Sequence, residues 1–194
     1  MLWCHCVRPR PPSCLQRSIA GSGTRCTAVT PSPPSPAAEP VLHVVLVQPE
    51  IPPNTGSIAR LCAATRVRLH LVGPLGFSLE DRYLKRAGLD YWPHVDLRVY
   101  PDWQAFDAVH GGDRLIYFSA RAPRSYLAVT HAPGEHLVFG GETRGLPRVL
   151  LAAHADSTFT IPIFSPHVRS LNLANAVAIV VYDALRQLGR LPAE

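Results

Sequence analysis

The chain has 194 residues, 47% of them hydrophobic, and a formal net charge of +5. That length supports one well-buried core, and no apolar run approaches a membrane span. Arg8, Arg10, Arg17 and Arg25 against Glu39 place +3 of the charge in the first forty residues and leave +2 for the rest, which points to local basic patches rather than a uniformly cationic surface.

Residues 1–40 hold eight prolines, many Ser, Thr and Ala, and four of the five cysteines. Such a composition cannot form a packed core, so the expectation is a disordered N-terminal extension over 1–40 and a single domain over 41–194. The spacing of Cys4, Cys6, Cys14 and Cys26 matches no zinc finger or ribbon. The segment is Arg- and Ser-rich and poor in acid, as a transit peptide is, although prolines interrupt the amphipathic period; the lack of an apolar h-region argues against a secretory signal. Upstream sequence joined by a wrong start is a further explanation for the abrupt change at Val41. Beyond it Cys62 is the lone thiol, which fits a reducing, cytoplasmic setting. Its apolar neighbours make it a core residue rather than a nucleophile.

From residue 42, apolar runs of strand length recur at 42–47, 69–72, 95–99, 115–118, 137–139 and 158–163. Segments with helical spacing lie at 55–65, 79–87, 102–109, 147–154 and 171–188. Unbroken hydrophobic strands alternating with helices predict an α/β fold, a mostly parallel sheet with helices on both faces. In such sheets ligands sit beyond the carboxyl ends of the strands.

Three polar loops fall at those ends. The first, PPNTGSIAR at 52–60, combines rigid prolines, an Asn that can cap a helix, a Gly that permits close approach, and Arg60 about one turn further on. A capped helix with a solvated arginine would look the same. The second, VFGGETRGLP at 138–147, lacks the G-x-G-x-x-G of a dinucleotide site and could equally be a tight turn. In the third, SPHVRSLNLANAVAIVVYDALRQ at 165–187, Ser170 suits an N-cap. Asn172 and Asn175 share one helical face there, and residues 176–181 are apolar all round, which implies burial on every side. His167, beside this loop, is the histidine with the best-placed sequence context. No nucleophile elbow, Walker loop, metalloprotease motif or paired carboxylates accompany these loops.

Taken in order, PEIPPNTGSIARLCAAT, LVFGGETRGLP and IPIFSPHVRSLNLANAVAIVVYDALRQ resemble the three motifs of the SpoU branch of the SPOUT methyltransferases. With GFSLEDRYLKRAGLDYW at 76–92, the chain is most similar to the short enzymes that methylate the ribose 2′-hydroxyl of the tRNA wobble nucleotide. The match runs from about residue 42 to 190. It departs at Gly141, where relatives commonly carry Pro, and at Leu171, where Met is frequent.

The resemblance implies a C-terminal deep trefoil knot, a homodimer that covers the apolar helix 173–181, and S-adenosyl-L-methionine as cofactor, with no metal needed. Carried over residue by residue, it implies a cofactor pocket of Phe118, Gly140, Ile161, Ser170 and Leu171. The implied catalytic group is Asn54, Gly56 and Arg60, with Glu142, Ser170 and Asn172. A guanidinium is always protonated, so Arg60 would polarise the hydroxyl or its phosphate rather than act as a base. The tRNA would meet Arg66, Arg68, Arg82, Lys85, Arg86, Arg121, Arg124, Arg144 and Arg169. Two other functions stay open on sequence alone: the same chemistry on another tRNA position or on ribosomal RNA, and an idle RNA-binding protein of the same fold.

Overall fold

The computed structural model describes residues 39–79 and 91–191. Among them, seven strands run in chain order: β1 (Leu42–Val47), β2 (Arg68–Val72), β3 (Leu97–Tyr100), β4 (Leu115–Phe118), β5 (Arg124–Ser125), β6 (Glu135–Gly140) and β7 (Thr158–Thr160). The helices are α1 (Pro52–Thr65), α2 (Trp103–His110), α3 (Arg148–Ala153) and α4 (Leu173–Gln187). All strand pairs are parallel, in the order β3-β2-β1-β6-β4-β7-β5. β1 and β6, at the centre, are buried along their whole length, as unbroken apolar runs require.

Alternation along the strands sorts their side chains to two covered faces. Leu42, Val44, Leu46, Leu69, Leu71, Leu137 and Phe139 pack with Ile58, Ala59 and Cys62 of α1 and with Val177, Val180, Val181 and Ala184 of α4. On the opposite face Val45, Val47, Val72 and Val138 pack with Phe106 and Trp103 of α2 and with Leu150 and Leu151 of α3. Helices thus cover both faces of the sheet.

Four local features differ from the sequence expectation. α1 begins at Pro52 rather than at 55, because Pro at the first helical positions gives up only an N–H that has no partner there anyway. Ile51 therefore holds the cap position without a side-chain bond, and Asn54, inside the first turn, does not cap. α4 is capped by Asn172, not Ser170, since the Asn172 Oδ1 accepts from the Ala174 and Asn175 backbone N–H groups at 2.9 and 3.4 Å. β7 stops at Thr160, two residues before Pro162, whose missing N–H cannot extend a ladder. α4 buries one face only within the chain. Ile179 and Tyr182 are 37% and 49% exposed, so the expected all-round burial is not met by this chain alone. The helix expected over 79–87 lies, except for Leu79, outside the described residues.

Cys62 is 1% exposed, and burial pushes its thiol up to about 12. Peptide mapping after iodoacetamide treatment should find Cys62 unmodified in native protein and alkylated in denaturant; native-state alkylation would contradict its place in the core.

Candidate active site at the carboxyl edge of the sheet

β1, β4, β6 and β7 all point their carboxyl ends to one edge, and the chain leaves that edge through the three polar loops. A chain of side-chain hydrogen bonds ties the loops together. The Glu142 carboxylate accepts from the Asn54 Nδ2 at 3.0 Å and from the Glu50 backbone N–H at 2.8 Å. The Asn172 Nδ2 donates to the Asn54 Oδ1 at 3.0 Å, while the Asn172 Oδ1 caps α4. Asn54 uses both ends of its amide, one on each flanking loop. Glu50 adds a further link, its Oε2 accepting from the Thr143 backbone N–H at 3.2 Å.

The second loop folds back on its own strand. Gly141 and Gly145 form an antiparallel bridge, with the Gly145 N–H on the Gly141 carbonyl at 2.9 Å. This fold-back requires glycine at 140, where a Cβ would collide with the backbone of Gly145 and Leu146. Gly145 itself has φ +68, a left-handed conformation that glycine adopts without cost.

Between the loops lies a cleft of about 970 Å³. Phe118, Leu146, Ile161, Ile163 and Leu171 supply apolar wall, and Gly140 and Gly141 bring backbone to the lining. Asn54, Ser170 and Asn172 also line it. Arg121, Arg144, Arg148 and Arg169 line the same cleft, and Glu142 is the lone carboxylate among the lining residues. Four guanidinium groups against one carboxylate leave the mouth with an excess of positive charge that favours anionic ligands.

Of the residues singled out from sequence, this cleft brings together Asn54, Phe118, Gly140, Glu142, Ile161, Ser170, Leu171 and Asn172, with Arg121, Arg144 and Arg169. Arg60 is not among its lining residues. Its guanidinium lies 4.6 Å from the Tyr91 ring centroid, on a side of α1 about 120° around the axis from Asn54, as a six-residue spacing dictates. Gly56 is buried within the helix. Arg66 ends α1 in a left-handed conformation (φ 56), and Arg68 pairs with Asp96 at 2.7 Å; both stand at the amino edge of the sheet, away from the cleft. Arg124 lies over the Phe159 ring and donates to the Asp156 carbonyl. Arg82, Lys85 and Arg86 lie outside the described residues. His167 is exposed on the third loop and does not line the cleft. Sequence reasoning missed Glu50, whose signal was its place three residues beyond Val47, the end of β1, and Arg148, which reads as an ordinary first-turn arginine.

A parallel α/β sheet that gathers three loops around one cleft at its carboxyl edge defines a ligand-binding enzyme of the open-sheet class. The SpoU rRNA Methylase family matches residues 41–182, and the chain belongs to that family. It is 46% identical over 151 residues to a tRNA (cytidine(34)-2′-O)-methyltransferase of Burkholderia ambifaria, covering 77% of this chain and 97% of that protein. A solved structure that gives insight into the 2-OH methylation of C/U34 on tRNA superposes with TM-score 0.72 at 52% identity, covering 76% of this chain and 96% of that one. The SpoU methyltransferase AviRb of Streptomyces viridochromogenes, in complex with AdoMet, superposes with TM-score 0.65 at 25% identity, covering 79% and 60%.

Asn172→Ala removes both the α4 cap and the link to Asn54 and should lower stability by about 1 kcal/mol or more. Asn54→Ala should destabilise as well, and denaturant unfolding of the double variant should show a loss smaller than the sum by roughly 1 kcal/mol. Strictly additive losses would show that the two amides are not directly coupled.

Proposed function

We propose that this chain methylates the ribose 2′-hydroxyl of nucleotide 34, the wobble position of the tRNA anticodon loop, with S-adenosyl-L-methionine as methyl donor. The observation that carries this is the joining of Asn54, Glu142 and Asn172, from three distant segments, around one cleft, in a chain nearly half identical to curated nucleotide-34 methyltransferases.

The cleft suits the cofactor. Phe118, Leu146, Ile161 and Leu171 offer the apolar surface an adenine ring needs, and the fold-back at Gly140 brings the Gly145 and Leu146 backbone close to that wall. When bound there, the cofactor supplies an electrophilic methyl group. The protein's own task is then to hold the sugar hydroxyl in line and to ease the departure of its proton. Asn54 and Asn172 fix the loop positions, while Ser170 stands free in the same wall to meet the ligand. Arg121, Arg144, Arg148 and Arg169 meet phosphates and orient the anticodon loop, whose unstacked base is read singly.

Arg60 polarises the hydroxyl or its neighbouring phosphate. Since it does not line the cleft of its own chain, it acts from the α1 face of one protomer on the cleft of its partner in a homodimer. The exposed apolar side of α4, Ile179 and Tyr182, supports such an interface. The third loop, returning from β7 at one side of the sheet to Asn54 at the start of α1, is the segment expected to thread the trefoil knot. A cytoplasmic setting suits the free thiol of Cys62. Among the described residues no helix is long and apolar enough to cross a membrane.

Mass spectrometry of nucleosides from tRNA incubated with protein and cofactor should find the 2′-O-methyl group at position 34, and methylation solely elsewhere would overturn the assignment. Arg144→Ala and Arg169→Ala should each weaken tRNA binding and lower the slope of log K against log salt by about one; unchanged slopes would remove those contacts. Co-expressed Arg60→Ala and Glu142→Ala chains should recover activity that neither variant has alone, because a mixed dimer keeps one complete site. Absence of recovery in verified mixed dimers would place Arg60 in its own chain's site or outside the reaction.

A further inference from the structure

At the amino edge of the sheet, opposite the cleft, four histidines cluster beneath α2. His43, His70 and His136 stand on the adjacent strands β1, β2 and β6, on the face that also carries Val45, Val72 and Val138, and α2 adds His110 at its C-terminus. Four of them are linked or stacked within a few ångströms: His43 and His136 have centroids 4.1 Å apart, His110 and His136 4.7 Å. A line of hydrogen bonds runs through most of the group. His43 Nδ1 and His70 Nε2 are 2.9 Å apart, His70 Nδ1 and the Tyr100 hydroxyl 3.3 Å, that hydroxyl and His110 Nε2 2.9 Å, and His110 Nδ1 and Asp113 Oδ2 2.8 Å.

His136 stands outside this line. It is 2% exposed, and neither of its ring nitrogens has a hydrogen-bond partner among the described residues. A buried imidazole with both nitrogens unpaired is costly and calls for a ligand. Its Nε2 lies 3.8 Å from Asp113 Oδ2, too far for a hydrogen bond.

We propose that His110, Asp113 and His136 form a binding site for a zinc-like divalent transition metal that clamps the α2–β4 turn to β6, separate from the methyl-transfer cleft. The ligand atoms of these three residues all lie within 4.8 Å of one another. Tetrahedral zinc with bonds near 2.1 Å places its ligand atoms about 3.4 Å apart, between the 2.8 and 3.8 Å separations on Asp113. Two imidazoles and a carboxylate are a suitable donor set for such a metal, with solvent completing the shell. Asp113 is 46% exposed and gives an entry path. The turn HGGD holds the pair in place through the Asp113 N–H on the His110 carbonyl at 2.9 Å.

The outer contact of His110 agrees. Ligation by His110 through Nδ1 leaves its proton on Nε2, where the Tyr100 oxygen can accept it, and outer partners of this kind set tautomer and ring orientation at metal sites. The alternative triad of His43, His70 and His136 fits less well. A metal lies in the plane of each imidazole, and the near-parallel His43 and His136 rings, 24° apart in stacked contact, direct their lone pairs side by side rather than to one point. That triad also lacks a carboxylate to balance the charge.

The test uses tag-free full-length protein, stripped with chelator and titrated with Co²⁺ alone. The proposal expects one Co²⁺ per chain, visible d–d bands without a thiolate charge-transfer band, and displacement by Zn²⁺. Asp113→Asn, at an exposed position, should lose this binding, Tyr100→Phe should weaken it about tenfold, and His43→Asn should retain it. Zn²⁺ should raise the Tm of the wild type and not that of Asp113→Asn. No stoichiometric binding by the wild type, a thiolate band, wild-type binding by Asp113→Asn, or loss confined to His43→Asn would each overturn the assignment.

Discussion

The arrangement at the carboxyl edge depends on the two-ended amide of Asn54. Its Nδ2 holds the Glu142 loop and its Oδ1 receives the Asn172 loop, across sequence separations of 88 and 118 residues. The Gly141–Gly145 bridge closes the Glu142 loop on itself, but it does not tie that loop to the Asn172 loop. A single side chain on a rigid helix therefore sets the spacing between them. Asn172 passes the constraint on, because its Oδ1 caps α4, which is packed against the sheet beside α1. Position of the loops, seating of the last helix and shape of the cleft are one coupled problem.

Electrostatics then divides the molecule. The carboxyl edge carries four arginines around one occupied carboxylate, whereas Arg66 and Arg68 lie at the other edge, Arg68 neutralised by Asp96. A modest net charge thus becomes a concentrated patch where a phosphate backbone can be held. Burial lowers His43 to about 4, His70 to about 2 and His136 to about 3, so these three histidines of the amino edge add donors and acceptors without adding charge.

Much of the fold was legible because its central strands are continuous apolar runs; 42–47 and 115–118 emerge with the bounds read from sequence. The two-residue β5 carries no pattern, and its pairing comes from its neighbours. The start of α1 was obscured by its prolines, which read as a turn yet are accepted in a first helical turn. That shift matters for Arg60, since its direction follows from helical phase and cannot be judged from proximity to Gly56. The three loops were legible as candidates, but that Asn54 links them rather than capping a helix depends on tertiary neighbours. The histidine cluster was invisible, because His43, His70 and His136 share a face only once the strand order is known.

Calorimetric titration of S-adenosylmethionine into the wild type and Gly140→Ala tests whether the fold-back at the end of β6 makes the cofactor pocket. A Cβ at that position meets backbone rather than a yielding side chain, so the wild type should bind saturably and a Gly140→Ala protein that remains folded by circular dichroism should not bind. Wild-type affinity in a folded Gly140→Ala protein would show that the pocket does not depend on the fold-back.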